Sequence, residues 1–193
     1  MNEVIILKER YLTLLRSTKR EGMENLINYL ESKSDFFTAP ASTKYHGAYE
    51  GGLLEHSLDA YDHMVKLAQI YQLSDVTESS IIITALLHDI CKVNFYKIDY
   101  RNKKNEKGVW EKISYYKIDD TVPLGHGEKS VIMLQQFIAL TIDEIMAIRW
   151  HMGSFSGNDY TTTQSLSKAM EQYKIVTLLH MADLAAGYLD NRR

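Results

Sequence analysis

The feature that most constrains the fold is the spacing of the apolar residues, which recur every three or four positions along most of the chain. That spacing places them on one face of an α-helix. Only two prolines and ten glycines interrupt the 193 residues, so long helices can run without breaks. Such a chain is expected to be mostly α-helical, and its low content of turn residues argues against a β-sandwich and against disorder.

The pattern predicts helices separated by short connections and by one longer loop. The loop runs from about Asp35 to Tyr49 and contains Pro40. The sequence Thr141-Ile-Asp-Glu144 has the form of a capping box and predicts the start of a helix that ends near Trp150. The other predicted helices lie within the N-terminal segment 1–34 and at Leu53 to Leu73, Ser80 to Cys91, Gly125 to Leu140 and Gln172 to about Leu189.

One segment, residues 94–120, breaks the helical pattern. It is rich in Tyr, Ile, Phe and Trp with charges interleaved, and its middle, Arg101 to Gly108, is a turn-like run. Strand-forming residues on both sides of a turn predict a β-hairpin, here inserted between two helices. The hairpin either covers a pocket or is a surface excursion without a role. The expected fold is therefore a helical bundle with one inserted hairpin.

Composition and charge exclude several classes of protein. Apolar residues make up 45% of the chain, enough for one core, and the length fits a single domain over residues 1–193. The net charge of −3 gives no global positive field for nucleic acid. The single cysteine, Cys91, excludes a disulfide framework, and the N-terminal apolar run is too short and too charged for a membrane span. A soluble cytoplasmic protein is expected.

Polar residues inside apolar helices point to the chemistry. The pair His88-Asp89 follows the apolar run Ile81 to Leu87, and Asp183 lies between apolar residues of the last helix. An imidazole or a carboxylate is costly to bury without a partner. A divalent cation removes that cost, because it pairs with the carboxylate and uses the lone pair of a neutral imidazole. These positions on separate helices therefore suggest one shared metal site.

Three segments together resemble a known family: Gly51-Gly-Leu-Leu-Glu-His56, Leu86-Leu-His-Asp-Ile-Cys-Lys92 and Leu179-His-Met-Ala-Asp183. Their order and spacing resemble the H…HD…D signature of the HD-domain superfamily of metal-dependent phosphohydrolases, over about residues 45–190. The string is similar to the HD domains of bacterial 3′-to-5′ exoribonucleases and of phage-type HD proteins. Those exoribonucleases carry a separate nucleic-acid-binding domain for which 193 residues leave no room, so a long nucleic acid is not the expected substrate.

The resemblance implies a metal site in a helical fold. The implied ligands of a first ion are His56, His88, Asp89 and Asp183. In HD proteins with two metals, extra histidines fall between the HD pair and the last aspartate, and here His126 and His151 occupy such places, so that Asp89 would bridge two ions. The alternative is that His126 caps its helix or contacts substrate, and that His151 does not bind the metal but contacts the residues that do. One or two divalent ions are expected, and imidazole with carboxylate suits Mn, Fe, Co, Ni or Zn.

Further residues are candidates for catalysis and substrate binding. Asp89 would hold the metal and accept a proton from the attacking water, and Lys92 would neutralise phosphate charge, unless it is only a solvated helix end. Lys129 has the same two interpretations. His46 would contact substrate or protonate a leaving group, and His180 would contact phosphate, ligate a metal or orient the aspartate three residues later.

The leading functional prediction is a hydrolase that cleaves a phosphate ester or anhydride of a nucleotide with metal-activated water, of the 5′-nucleotidase or nucleoside triphosphohydrolase type. One alternative is a phosphodiesterase or 3′-to-5′ exonuclease acting on cyclic nucleotides or short oligonucleotides, which a two-metal site would favour. Another is a non-catalytic, metal-bound nucleotide-binding protein. The expected partner is a small phosphorylated compound and not a membrane. The N-terminal segment 1–34 either completes the core or forms contacts in a homo-oligomer.

Overall fold

The chain folds as a bundle of helices with one hairpin, as described by a computed structural model for residues 2–190. The α-helices are α1 (Asn2–Ser17), α2 (Met23–Ser32), α3 (Gly52–Ile70), α4 (Glu78–Leu87), α5 (His126–Leu134), α6 (Ile142–Trp150), α7 (Tyr160–Gln172) and α8 (Lys174–Tyr188). Strands β1 (Tyr96–Lys104) and β2 (Trp110–Ile118) form the hairpin, and Ile90–Lys92 and Gly153–Ser156 are short 3₁₀ helices. The predicted helical fold with an inserted hairpin is confirmed. Met1 and residues 191–193, part of the predicted single domain, lie outside the described residues.

Three helices end earlier than the sequence predicts, and the first is α3, which ends at Ile70 and not at Leu73. Helix α4 ends at Leu87 and not at Cys91, because Asp89 (φ −102°, ψ 17°) leaves the helical conformation before the 3₁₀ turn. Helix α5 ends at Leu134 and not at Leu140, since the chain must turn before Thr141, whose extended backbone (φ −71°, ψ 163°) caps α6. Helix α6 itself follows the prediction, with both hydrogen bonds of the capping box present.

Helix α7 is not among the predicted helices. Asp159 caps it, with its side chain accepting a hydrogen bond from the backbone N–H of Thr162 at 3.0 Å. The threonines at positions 161, 162 and 163 are poor helix formers. Their low propensity and the scarcity of buried apolar positions on this helix explain why periodicity does not reveal it.

The N-terminal segment completes the core. Tyr11 and Leu15 of α1 and Leu26 of α2 are fully buried, in one cluster with residues of α3 and α4. The Tyr11 hydroxyl donates a hydrogen bond to the backbone oxygen of Leu86 at 2.9 Å. This contact fixes α1 against the end of α4 that precedes His88. Of the two alternatives for this segment, the first is therefore confirmed, and a homo-oligomer stays a prediction.

A buried ion pair ties the N-terminal segment to α6. The guanidinium of Arg20 donates two hydrogen bonds to the carboxylate of Glu144, at 2.7 and 3.0 Å, and a third to the backbone oxygen of Ala139 at 2.7 Å. The hydroxyl of Ser80 also donates to Glu144, at 2.9 Å, and the Glu144 side chain is fully buried. Glu144 thus has two roles: its side chain accepts a hydrogen bond from the backbone N–H of Thr141 in the capping box of α6, and it anchors the α1–α2 connection.

The strands of the hairpin are longer, and its turn is shorter, than the sequence predicts. The strands pair from Tyr96↔Ile118 to Lys104↔Trp110. Only residues 105–109 turn, because the side-chain oxygen of Asn105 accepts hydrogen bonds from the backbone N–H groups of Lys107 and Val109, each at 3.0 Å. Gly108 adopts the positive φ (76°) that this turn requires. The prediction that the turn-like run begins at Arg101 is therefore wrong, since residues 101–104 belong to β1.

Packing between helices brings the polar motif residues to one end of the bundle. Helix α3 packs against α4 and α8, and α6 packs against α4 and α8. The contact is made by small and flexible residues that allow close approach, among them Met64, Ala85, Ala147 and Ala182. Among residues 2–190, every helix falls short of the length or the apolar character that a membrane-spanning segment requires.

Candidate metal centre

The six residues predicted to bind metal lie together where five helices meet. They are His56 in the first turns of α3, His88 and Asp89 after α4, His126 at the start of α5, His151 after α6, and Asp183 in α8. His56, His88, Asp89 and His151 are buried, and His126 and Asp183 are partly exposed. Residues far apart in the sequence thus contribute to one polar cluster inside an apolar core.

Two glycines set the position of His56. Gly51 begins α3 with a positive φ (82°). A Cβ at Gly52 would lie 2.1 Å from the backbone oxygen of Gly47, so the loop can approach the helix only because no side chain is present. The Gly-Gly pair therefore allows α3 to start close to the loop that carries His46.

One half of the cluster surrounds Asp183. Its Oδ1 lies 3.0 Å from His56 Nε2 and 3.6 Å from His88 Nε2. The same two imidazole nitrogens lie 3.7 and 3.4 Å from Oδ2 of Asp89. Donor atoms of His56, His88 and Asp183 thus fall within 4.8 Å of one another, a separation that a single ion can span.

The other half of the cluster surrounds the second oxygen of Asp89. Its Oδ1 lies 2.7 Å from His126 Nε2 and 3.6 Å from His151 Nε2. The two oxygens of Asp89 therefore face different pairs of histidines. The family resemblance implies this arrangement for Asp89, as a carboxylate shared between two ions.

The hydrogen bonds of the histidines leave lone pairs directed into the cluster. The Nδ1–H of His88 donates to the backbone oxygen of Ala85 at 2.8 Å, and the Nδ1–H of His151 donates to that of Ile148 at 2.7 Å. These bonds fix the tautomer in which Nε2 carries the lone pair. Among residues 2–190, the buried side-chain nitrogens without hydrogen-bond geometry to any partner are His56 Nδ1 and Nε2, His88 Nε2 and His151 Nε2.

Unpaired buried nitrogens beside two carboxylates fit a bound divalent cation. Leaving such groups without a partner is costly, whereas ligation satisfies both the imidazole lone pairs and the carboxylate charge. The donor set of imidazole and carboxylate suits the predicted ions. Cys91, which is buried, places its Sγ 3.4 Å from His126 Nδ1, so the thiol contacts the cluster from the side of His126.

The electrostatics of the cluster are governed by the two carboxylates. Burial lowers the pKa of His88, but the charges of Asp89 and Asp183 outweigh it and raise the pKa to about 10. Burial likewise opposes the effect of Asp89 on His126, whose pKa is raised to about 9. For His151 burial prevails and the pKa is lowered. The field that attracts protons to the first two rings also attracts a cation.

Lys92 lies at the floor of the cavity beside the cluster. Its Nζ donates a hydrogen bond to Oδ2 of Asp89 at 2.6 Å, and the side chain is nearly buried. Although burial lowers the pKa of Lys92, the negative charge of Asp89 raises it above the ordinary value, so the ammonium stays charged. The alternative of a solvated helix end does not describe this buried lysine.

The other predicted substrate residues occupy different places. The ring of His46 lies 4.8 Å from that of His56, and its pKa is lowered to about 4 by burial and by the neighbouring charges of His56 and Lys92. Its ring is therefore neutral near pH 7. Lys129 does not line the cavity, since its Nζ is bound to Asp120 Oδ1 at 2.6 Å.

His180 lines the cavity and is held by a close backbone approach. Its Nδ1–H donates to the backbone oxygen of His151 at 2.6 Å. Gly153 lies against the ring, and a Cβ there would be 2.5 Å from His180 Cε1. His180 thus fixes the segment that follows His151 and presents its ring to the cavity.

A cavity of about 270 Å³ opens onto the cluster. Tyr96 and Ile118, at the base of the hairpin, form part of its wall, so the base of the hairpin borders a pocket while its outer part is exposed. These two residues, and also Phe155 and Tyr188, are not among the site residues predicted from the sequence. Gly187, which also lines the cavity, lies one helical turn after Asp183. Because residues four apart share one face of a helix, this spacing could have identified Gly187 as part of the cavity wall.

The model of the HD domain family matches residues 53–186 of the chain. The chain belongs to the HD domain family. Membership of this superfamily of metal-dependent phosphohydrolases, predicted from three short segments, is thereby confirmed, and the match lies within the predicted range of 45–190.

One curated relative of this HD protein is the dihydroneopterin 2′,3′-cyclic phosphate phosphodiesterase of Methanocaldococcus jannaschii. The two are 33% identical over 84 residues, which cover 42% of this chain and 31% of the relative. The matched segment thus spans about a third of the relative's own length. No solved structure matches this HD protein significantly.

Proposed function

We propose that this HD protein is a two-metal phosphodiesterase that opens a 2′,3′-cyclic phosphate of a small, nucleotide-like compound. The observation that carries the proposal is the position of Asp89, whose two oxygens face separate pairs of histidine nitrogens. Such a carboxylate suits two adjacent ions, an arrangement that recurs in enzymes that displace a phosphate oxygen.

The roles of the ligands follow from the two halves of the cluster. His56, His88 and Asp183 would hold one ion, and His126 and His151 the other, with Asp89 shared. Bound divalent ions supply Lewis acidity toward a phosphoryl oxygen and make water acidic enough to attack phosphorus near neutral pH. Asp89 would also accept the proton of the attacking water.

Residues around the cluster would bind and orient the phosphate. The charged Nζ of Lys92, at the floor of the cavity, would neutralise a phosphate oxygen. His46, with a neutral ring, and His180 lie on the cavity wall, where they would hydrogen-bond the substrate. A role for Lys129 would require its release from Asp120.

Two observations favour a small diester as substrate. The cavity of about 270 Å³ lies just below the roughly 300–1,000 Å³ that is typical of ligand sites, which suits a compound no larger than a mononucleotide. The relative acts on a 2′,3′-cyclic phosphate, according to its name. A cyclic diester is compact, which matches the size of the cavity.

A second candidate is hydrolysis of a nucleotide monoester or triphosphate, the leading prediction from the sequence. The observation that favours it is Lys92, because a fixed positive charge next to the metal ligands suits a terminal phosphate with two negative charges. The two candidates differ in the phosphate that is attacked: a diester carries two ester bonds, whereas a terminal phosphate carries one ester or anhydride bond. A comparison of kcat/KM between the two kinds of substrate distinguishes the candidates.

Other features belong to the same proposal. A single domain over residues 1–193, a small phosphorylated partner and a cytoplasmic location are carried over from the sequence. The ion is one of Mn, Fe, Co, Ni and Zn, as the imidazole and carboxylate donors support.

The test compares 2′,3′-cyclic nucleotides with 5′-nucleotides and nucleoside triphosphates, using protein reconstituted with Mn. We expect the highest kcat/KM for the cyclic diester. Asp89→Asn should lower kcat/KM by more than roughly 100-fold, which is the upper end for loss of a residue that only hydrogen-bonds a metal ligand. Asp62→Asn, which removes only an exposed partner of Arg10, is the matched control and should keep full activity. A higher kcat/KM for monoesters would favour the second candidate, and full activity of Asp89→Asn would rule out the site.

A further inference from the structure

The hairpin continues one wall of the cavity away from the metal centre. Residues that pair across the strands point to the same side of the sheet. The side that includes Tyr96 and Ile118, at the cavity, therefore also carries Ile98, Tyr100, Lys104, Trp110, Lys112 and Tyr116. We call these six residues the hairpin face. From Tyr96 to Lys104 the strand extends roughly 26 Å, at about 3.3 Å per residue.

Large apolar side chains on the hairpin face are exposed. Ile98, Tyr100 and Trp110 are 60%, 57% and 64% exposed. The hairpin is a two-stranded sheet, and among the described residues no third strand pairs with it. Exposed aromatic side chains arranged in a row beside a binding site are more typical of a contact surface than of a structural support.

Lysines are placed beside the aromatic rings of the hairpin face. Lys112 Nζ lies 4.7 Å from the centre of the Tyr100 ring, and Lys104 Nζ lies 5.2 Å from that of Trp110. An alternation of flat rings and positive charges matches a single-stranded nucleic acid, in which bases stack on the rings and phosphates pair with the ammonium groups.

The charge of the hairpin is opposite to that of the whole chain. Residues 96–118 contain seven Lys or Arg and three Asp or Glu, a net charge of +4, whereas the chain has a net charge of −3. Positive charge is thus concentrated on the element that borders the site. This local field would attract a polyanion to the hairpin even though the molecule as a whole is acidic.

We infer that the hairpin face binds single-stranded RNA and directs its terminal phosphate into the cavity. The position of the terminus rests on the proposed phosphodiesterase activity, whereas binding to the face can be tested independently. RNA is favoured over DNA because a 2′,3′-cyclic phosphate needs a 2′-oxygen. The occupant is a short oligonucleotide, since the face has room for only a few extended nucleotides before the strands end.

The binding test uses a fluorescent single-stranded RNA of about eight nucleotides, ending in a 2′,3′-cyclic phosphate, and anisotropy measured on the full chain with chelator present. Tyr100→Ala with Trp110→Ala should weaken binding by roughly tenfold or more, from the loss of base stacking. Lys104→Ala with Lys112→Ala should weaken it and reduce its salt dependence. The matched control is Lys103→Ala with Lys107→Ala, which removes the same charge away from the hairpin face and should change binding much less.

Activity of the Mn-loaded protein separates the two proposals. On the hairpin face variants, kcat/KM should fall for the RNA and stay unchanged for a 2′,3′-cyclic mononucleotide. If wild type hydrolyses the mononucleotide but does not bind the RNA, or if the control pair loses as much binding as the lysine pair, this inference fails and the proposed function stands. If the RNA binds but neither compound is hydrolysed, the proposed function fails and RNA binding stands. Equal or tighter binding of DNA of the same sequence would overturn the assignment to RNA.

Discussion

At the scale of single residues, the site depends on side chains whose orientation is set by backbone contacts. His88 and His151 each donate Nδ1–H to the backbone oxygen three residues earlier. Each histidine follows the last residue of a helix, where backbone oxygens lack partners within the helix. The helix ends thus determine which nitrogen of each ring faces Asp89.

Gly153 offers a test of how His180 is positioned. Residues with a side chain rarely adopt its φ of 55°, and an added Cβ would meet the His180 ring at 2.5 Å. We expect Gly153→Ala to lower kcat/KM, because the His180 ring and the backbone of His151 would both have to move. The measurement is steady-state kinetics together with the free energy of unfolding in urea.

Gly108→Ala is the matched control for that substitution. Gly108 has a similar φ of 76°, and a Cβ there would meet no described atom within 4 Å. Both variants should lose about 1–2 kcal/mol through backbone strain, but only Gly153→Ala should lose activity on a mononucleotide. Equal activity of the two variants would show that the contact with His180 is unimportant.

At the scale of elements, a buried ion pair joins α6, which precedes His151, to the connection between α1 and α2. Glu144 is fully buried, and Arg20 keeps only 20% of its side chain exposed. A buried carboxylate and guanidinium each depend on the other, since removal of one leaves the other charge unpaired.

Glu144→Gln should therefore be strongly destabilising. We expect a loss of about 3 kcal/mol in the free energy of unfolding, near the lower end for a broken buried pair because Arg20 retains some solvent contact. Asp62→Asn breaks an exposed pair with Arg10 and should cost less than about 1 kcal/mol. Urea unfolding of both variants provides the comparison, and similar small losses would mean that the contact between the α1–α2 connection and α6 does not depend on this pair.

Elements with a strong local signal could be predicted from the sequence, and those set by longer-range packing could not. The capping box at Thr141 and Glu144 gives the start of α6 because both of its hydrogen bonds are local. The early end of α5 depends on the turn that must precede Thr141, and helix α7 lacks a buried apolar stripe. The two hydrogen bonds of Asn105 shorten the hairpin turn, a detail that residue preference alone does not reveal.

At the scale of the whole molecule, the same distinction applies to the site. His56, His88, Asp89 and Asp183 can be found in the sequence, because polar residues in apolar helices need a shared partner and because their spacing resembles a family signature. The cavity wall could not be found in this way. Phe155 lies in the 3₁₀ helix Gly153–Ser156, which is too short to show a periodic pattern in the sequence.

The bundle joins one apolar core to one polar end. Residues of α1 and α2 are as deeply buried as those of the helices within the family match, so residues 1–34 contribute to the same core. The hairpin projects from the polar end between the 3₁₀ helix Ile90–Lys92 and α5, next to the cavity. The molecule therefore places the polar cluster of the candidate metal centre between an apolar core and a basic, exposed element.

The most direct test of the two-metal centre is elemental analysis of protein purified without a metal-binding tag and without chelator, for wild type and for His126→Ala. We predict about two ions per chain for wild type, because the oxygens of Asp89 face two sets of histidines. We predict about one ion for His126→Ala, because that variant removes a ligand from one set only. Unchanged stoichiometry in His126→Ala, or no ion in wild type even after addition of Mn, Fe, Co, Ni or Zn, would contradict this account of the site.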